Sequence, residues 1–432
     1  MNAVILSIGD ELVLGQTVDT NSAYLSTRLT ERGIAPLYHQ TIPDDRSATA
    51  EAIRQAAAAA PLVIVTGGLG PTEDDLTRQG LADAMGEPLV EDAASATAIA
   101  AFFERLGRTM PQANRVQAMH PAGSQMIPNT CGTAPGIKAT LGDATIYVVP
   151  GVPSEMTAMF DAVIGPQLDK LPASGRSVIR CTSIHSFGIG ESDLAQRLVG
   201  LTDRDRNPLV GTTVSGGVVS VRVRSQYATV KQAERELAAT VEQVERRLGS
   251  IVFGRDQTTL QDAVVHLLRD ARATVATAES CTGGLIGKML TDVAGSSDVY
   301  RGGWVTYANA MKTSQLGVPA EVLEADGAVS RGVVERMARA AQRISGSDYA
   351  IATTGIAGPG GGMLDKPVGT IWIALACPPA DDTSDSVVSA WRLQFGGDRA
   401  TIRDRTAKTA LQILRLALLG ADVRQISSIR SP

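Results

Sequence analysis

Aromatic residues make up only 4% of this 432-residue chain, and cysteine and histidine occur four times each. Cys131, Cys181, Cys281 and Cys377 lie far apart with no CxxC pair, which excludes the familiar zinc patterns and fits reduced thiols. No uninterrupted apolar run approaches the roughly 20 residues of a membrane span. Met1 leads through Ala3 straight into "VILSIG" without the basic start of a signal peptide, so a cytoplasmic protein with no membrane partner is expected. Charge of either sign is also unconcentrated: 20% charged residues leave a net charge of −5, which gives no footprint for direct nucleic-acid binding. Internal repeats are missing, and the one low-complexity stretch, Ala56 to Ala60, reads as a helix end.

What is present is length enough for two or three hydrophobic cores. The first third alternates β-rich runs ("VILSIG", "LVIVTGG", "TIYVVPG") with amphipathic helical stretches, the rhythm of a parallel α/β sheet. Asp45 predicts an N-cap and Gly33 a helix C-terminus. Pro172 to Gly175 reads as a linker. From 176 the order becomes strand, helix, strand pair, helix, as in a small α+β domain. After Gly254 a third unit alternates again, with strands expected at 273 to 278, 303 to 308, 348 to 354, 368 to 376 and 387 to 395. The expected domains are therefore 1–171, 176–253 and 256–432.

Four loops in the first domain combine glycine or proline with polar groups: "IGDELVLG", "TGGLGPTEDDLT", "NTCGTAPG" and "PGVPSEM". Glycine lets backbone N–H groups approach an anion, and a helix N-terminus favours negative charge. The plain alternative for Glu73, Asp74 and Asp75 is a set of carboxylates in a first helical turn, complementing its dipole. Beside a phosphate cradle, however, three carboxylates would repel the phosphate unless a divalent metal came between them. Hard oxygen ligands suit Mg²⁺ or Mn²⁺, which would also lower the pKa of an attacking water.

In the third unit, "TAESCTGG" (277–284) sets Ser280 and Cys281 where a strand ends and a helix starts, either as a nucleophile on a sharp turn or as a helix cap followed by glycine packing. A serine nucleophile needs a base. The unit's one histidine, His266, lies in the helix before the strand, so Lys312 is the better candidate, its pKa lowered by burial or a neighbouring cation. The plain alternative for Lys312 is a solvated helix residue. "GSSDVYRGGWVTYANAMK" (295–312) is expected to bring Ser296, Ser297, Tyr307 and Lys312 onto one strand and the turn after it. "TTGIAGPGGG" (353–362) offers backbone donors for an anion or oxyanion. Arg399, at a helix start where it opposes the dipole, is expected to face a phosphate or carboxylate.

Together these motifs resemble the CinA family of competence/damage-inducible proteins at both ends of the chain. The resemblance implies an N-terminal domain similar to molybdopterin-binding folds that acts as a metal-dependent ADP-ribose pyrophosphatase, releasing AMP and ribose 5-phosphate. The matching positions are Asp10, Glu11, Asn21, Gly67 and Gly68 for substrate, with Asp74, Asp75 and Glu155 for a divalent Mg, Mn or Co ion. For the C-terminal domain it implies a nicotinamide mononucleotide deamidase that needs no cofactor. Ser280, Ser297, Tyr307 and Lys312 would be catalytic, and Thr354 and Arg399 would bind substrate. A homodimer is also implied. Ser280 and Ser297 remain open as nucleophile, and Cys281 is expected to pack inward. Two further readings stay open: only one domain active, or a molybdopterin-type ligand carrier or competence adaptor without turnover.

Overall fold

The computed structural model describes residues 1–171, 177–378 and 387–429. The Pro172 to Gly175 linker lies outside the described residues. The chain divides into two compact units, Met1–Arg180 with Ser225–Glu234, and Cys181–Arg224 with Arg235–Pro432.

The first unit contains β1 (Asn2–Ile8), β2 (Ala35–Ile42), β3 (Leu62–Thr66), β4 (Leu89–Glu91), β5 (Met119–Pro121), β6 (Gln125–Ile127), β7 (Gly136–Leu141) and β8 (Ala144–Val149). Six of them form a sheet in the order β2-β1-β3-β8-β7-β6. The pairs β1–β2, β1–β3 and β3–β8 are parallel, whereas β7 pairs antiparallel with β8 and β6. Because successive strand side chains face opposite ways, Val4, Leu6, Val63 and Val65 pack with Ala50, Ile53 and Ala56 of the Arg46–Ala59 helix. Ala3, Ile5, Leu62 and Ile64 pack on the other face with Leu25, Leu29 and Phe160. Burial on both faces explains why β1 and β3 read as continuous apolar runs. Asp45 caps its helix, accepting from the Ala48 N–H, and Gly33 takes φ 71° after the Thr20–Glu31 helix, as expected. With β2 and β3 on opposite sides of β1, the β1/β3 boundary is a topological switch point, and a crevice opens at the carboxyl ends of those strands.

In the second unit, β9 (Val178–Phe187), β10 (Leu209–Ser215), β11 (Val218–Tyr227) and β12 (Val252–Arg255) form a sheet in the order β10-β11-β9-β12. Val219, Val221 and Val223, spaced by two, meet Val241, Val244 and Leu248, spaced by three and four, in one apolar cluster. The five-stranded sheet that follows contains β13 (Val275–Glu279), β14 (Tyr300–Val305), β15 (Tyr349–Gly355), β16 (Thr370–Cys377) and β17 (Val387–Gln394), in the order β14-β13-β15-β16-β17. Strands β14, β13 and β15 are parallel; β16 and β17 are antiparallel. One face of this sheet is nearly all alanine (Ala278, Ala350, Ala352, Ala374, Ala376) and receives Val333, Val334 and Met337 of the Arg331–Ser345 helix. The other carries Ile351, Ile371 and Ile373 under the Leu260–Asp270 and Arg399–Leu418 helices. A second switch point thus lies between β13 and β15. Among the described residues no helix is long and apolar enough to cross a membrane.

Candidate functional site

At the first switch point a pocket of about 520 Å³ is lined by Glu11, Asp44, Gly67, Gly68, Asp74, Asp75, Gly151 and Glu155, among others. Gly67 and Gly68 take φ of 104° and 64°, and a Cβ on Gly67 would overlap the Ile8 carbonyl while one on Gly68 would overlap the Thr77 hydroxyl. Only glycine lets the loop turn against β1 there. Two charged side chains fix that loop from within. Asp75 accepts the Gly70 N–H at 2.7 Å and the Thr72 N–H at 2.9 Å, and also the Thr72 hydroxyl. Arg78, fully buried, donates to the Gly70 and Leu69 carbonyls. No carboxylate hydrogen-bonds to it, and burial pulls its pKa down to about 10. The acidic run precedes the helix, which starts only at Thr77, so Glu73, Asp74 and Asp75 are not the first-turn residues the sequence suggested. Asp75 is engaged in the loop itself.

Asn21 is buried, and its amide donates to the Thr66 hydroxyl at 3.0 Å and the Gly151 carbonyl at 2.8 Å, while its Oδ1 has no partner. Glu155 accepts from Asn129 at 2.6 Å. Asp10 and Glu11 open the short Asp10–Val13 helix after β1. Asp44, which sequence reasoning missed, lies beside them; burial first, then repulsion from Asp10, Glu11 and Asp74, pushes its pKa above the usual carboxylate value. Its signal was its place two residues beyond the carboxyl end of β2.

A divalent cation fits this donor set in one way. Among the described residues no three carboxylate, histidine or cysteine side chains converge as a ready cage. Magnesium-type ions, however, commonly take one or two carboxylates and complete their shell with water and substrate phosphate. A pocket-lining carboxylate under repulsion, Asp44, is the feature that a cation and its waters would relieve.

At the second switch point the Glu279 carboxylate, buried, accepts the Ile286 and Gly287 N–H groups at 3.1 and 2.8 Å. The capping role in "TAESCTGG" therefore belongs to Glu279. Ser280 is left with a side chain that makes no hydrogen bond among the described residues, while its N–H donates to the Thr353 carbonyl at 3.0 Å. Cys281 packs inward, 5% exposed, with its thiol pushed up to about 12 by burial. Lys312 is not a solvated helix residue: it is 1% exposed, and Nζ donates to the carbonyls of Thr306 (2.9 Å) and Tyr307 (3.3 Å). Burial holds its pKa below the ordinary lysine value, and the Cys281 thiol that opposes this is itself protonated near neutral pH. The Thr306 N–H in turn donates to the Glu279 carbonyl at 2.8 Å, so one residue, Thr306, links the lysine to the residue before Ser280.

Arg399 donates to the Gly358 carbonyl at 2.9 Å and to the Tyr307 hydroxyl at 2.7 Å, tying the glycine-rich loop to Tyr307. Arg403, four residues on along the same helix and unremarked in the sequence, donates to the Thr282 carbonyl at 2.7 Å. Thr354 is buried and donates to the Ala328 carbonyl. Ser280, Tyr307, Lys312, Thr354 and Arg399 thus gather at the carboxyl ends of β13, β14 and β15. Ser297 does not join them. It sits on an exposed turn before β14, whose Tyr300 lies beside Val275 and whose Val305 lies beside Glu279. Ser297 therefore stands at the amino end of the β13–β14 pair and Ser280 at the carboxyl end, roughly 15 Å apart at about 3.3 Å per strand residue. The expectation that one strand and the turn after it carry all four groups fails because Ser296 and Ser297 precede the amino end of β14, whereas Tyr307 and Lys312 follow its carboxyl end.

The fold and its two loop-lined crevices define an α/β protein with a molybdopterin-binding-like first domain, a small α+β middle domain and a distinct α/β C-terminal domain. Residues 4–170 match the family described as "Probable molybdopterin binding domain", residues 182–254 the "Damage-inducible protein CinA KH domain", and residues 257–418 the "CinA C-terminal domain". A CinA-like protein of Geobacter sulfurreducens is 43% identical over 98% of this chain and 100% of its own length. Another, from Nostoc sp., is 40% identical over 97% and 100%. The competence/damage inducible protein CihA from Agrobacterium tumefaciens, a crystal structure, is 42% identical over 37% of this chain and 93% of its own, with a TM-score of 0.35. The chain belongs to the CinA family.

Proposed function

We propose that the C-terminal domain deamidates nicotinamide mononucleotide and that the N-terminal domain hydrolyses ADP-ribose with a divalent metal, the two acting in a cytoplasmic homodimer that recycles pyridine nucleotides. The observation that carries the first activity is the buried Lys312 ammonium, which among the described residues is hydrogen-bonded only to carbonyls and is linked through Thr306 to the strand end that bears the Ser280 hydroxyl, itself without a partner there. A lysine so desolvated sheds its proton more readily and can act as a base near neutral pH.

In the reaction, the Lys312 amine takes the proton of Ser280 as Oγ adds to the carboxamide carbon. Collapse of the tetrahedral adduct returns that proton to the leaving nitrogen and releases ammonia. Water then repeats the sequence on the acyl-serine, giving nicotinate mononucleotide. Backbone N–H groups of the 353–362 loop suit the developing oxyanion, and Arg399 suits the substrate phosphate. In the N-terminal domain Asp44 and Asp74 would hold the metal together with water and the substrate's own phosphates. Such an ion supplies charge neutralisation and an acidified water. The Gly68 backbone faces the diphosphate, the Gly67 N–H being held by the Val149 carbonyl, and Asp75 keeps the loop closed.

The test incubates the full chain separately with nicotinamide mononucleotide and with ADP-ribose plus Mg²⁺ or Mn²⁺, and resolves products by chromatography. Nicotinate mononucleotide in the first and AMP with ribose 5-phosphate in the second are expected. Product from neither would leave a ligand carrier or adaptor.

A further inference from the structure

A second cavity of about 760 Å³ opens in the first domain, between the Ala93–Arg105 helix and the segment from His120 to Pro135. Its size lies within the range of small-molecule sites. It is continuous in lining with the diphosphate pocket: Thr133 borders both, and the loop that separates them is held by Asn129. Asn129 spends its whole amide on this, its Oδ1 accepting the Cys131 and Gly132 N–H groups and its Nδ2 donating to the Ala134 carbonyl and to Glu155. The wall between the two cavities is therefore built, and it is tied to a carboxylate of the phosphate pocket. Thr133 at the junction makes no side-chain hydrogen bond among the described residues.

The far end of the cavity differs in chemistry from the phosphate pocket. Phe102, half-exposed in a chain with few aromatics, lies there with Ile99 and Met126, and the Arg105 guanidinium stands 5.5 Å from the Phe102 ring centroid. Phe103 meets the same ring edge-on, with centroids 6.3 Å apart, which fixes its plane. His120 bonds Ser124 through Nδ1 at 2.9 Å and keeps Nε2 without a partner among the described residues. A fixed aromatic and guanidinium surface, apolar side walls and one open ring nitrogen are the features that accept a planar heterocycle by stacking and by an edge hydrogen bond.

We infer that this cavity is the nucleoside subsite of the N-terminal domain: it takes the adenine and its ribose while the diphosphate lies over Gly68, with Thr133 on the border that the two cavities share. The inference rests on the ADP-ribose reading for the identity of the ligand, and Phe102 is its specificity-determining residue.

The test is equilibrium binding of AMP and, separately, of ribose 5-phosphate to the full chain and to three variants. Phe102→Ala should weaken AMP about tenfold or more, the loss that removal of one stacking ring brings. Phe102→Trp, which keeps a ring, should stay within threefold of the parent, and Arg246→Met, an exposed arginine outside both sites, should leave AMP binding unchanged. Ribose 5-phosphate should bind all four alike. Equal AMP affinity for Phe102→Ala and the parent, loss in the Ala and Trp variants together, or a parent that does not bind AMP would each overturn the subsite. Circular dichroism melts separate misfolding from loss of the ring. If the AMP pattern holds but ADP-ribose is not cleaved, the subsite stands and the hydrolase reading falls. If ADP-ribose is cleaved with the same KM by the parent and Phe102→Ala, the reading stands and the subsite falls.

Discussion

Asp10 and Asp44 hold each other's backbone: the Asp10 N–H donates to Asp44 Oδ2 at 2.8 Å, and the Asp44 N–H donates to Asp10 Oδ1 at 3.2 Å. The exchange fastens the loop after β1 to the loop after β2 with both charges kept close. Since burial and its acidic neighbours raise the Asp44 pKa above 3.8, the native state binds its proton more tightly than the unfolded chain. Ionised Asp44 thus costs stability at neutral pH, and the cost fades as pH falls through its folded pKa. Asp44→Asn should melt higher than the parent at pH 7 in EDTA, with the gap closing in acid. Thermal melts across pH check this, and a lower melting temperature for the variant at pH 7 would contradict it.

Chelation should separate the two activities. EDTA is expected to abolish ADP-ribose cleavage and to leave deamidation intact, because the Ser280 and Lys312 chemistry uses no metal. Restoration of the first activity by Mg²⁺ or Mn²⁺ completes the test, and equal loss of both would refute two separate sites.

Lys312→Met keeps most of the side-chain volume and removes the proton acceptor. Turnover of nicotinamide mononucleotide should fall by a factor on the order of 10²–10⁴, with KM little changed. The parent's kcat should rise with pH as Lys312 loses its proton, at an apparent pKa below 10.5, and the variant should lack that limb. Arg399→Met should instead raise KM. The reverse pattern would exchange the two assignments.

Arg78 is a buried cation whose only hydrogen-bond partners are carbonyls of the glycine loop. Arg78→Met leaves the Gly70 carbonyl without its donor and the Leu69 carbonyl with only a long bond from Gln117, at a cost of about 1–3 kcal/mol for an unmade buried bond. ADP-ribose KM should rise with little effect on deamidation. Arg78→Lys, too short for both carbonyls, should fall between, as read by parallel kinetics and urea unfolding.

A fragment from Gly254 onward contains every candidate deamidase residue, but it loses partners. On the Arg399–Leu418 helix, Lys408, Gln412 and Arg415 donate to the carbonyls of Gly216, Phe187 and Ser250, and Phe187 and Phe253 belong to the C-terminal apolar cluster. The fragment should keep deamidation within a few-fold and melt several degrees lower than the full chain. A well-folded but inactive fragment would mean that the site borrows groups from elsewhere.

The loops were legible because glycine, proline and carboxylates cluster at strand ends, where a chain reading alone can place them. Asp45 and Gly33 were equally plain, since a cap is a local device. What escaped depended on long-range register. Ser297 is 17 residues from Ser280 in sequence but at the opposite end of a parallel pair, and only the pairing of Val275 with Tyr300 decides that. Asp75 looked like a ligand because its bonds to Gly70 and Thr72 form within the turn, invisible to composition. Asp44 and Arg403 went unnoticed because each needs a second segment beside it before it means anything.

On the proposed reading, the anion donors at both switch points are main-chain N–H groups, at Gly68 and in the 353–362 loop, while the Gly67 N–H is given to the Val149 carbonyl. Peptide nitrogen has no proton to gain or lose in the working range, so these anion contacts keep the same strength from acid to mildly alkaline solution. Each activity's response to acidity would then report a very few side chains, and a titration curve becomes a nearly single-group instrument: Lys312 for one domain, Asp44 for the other.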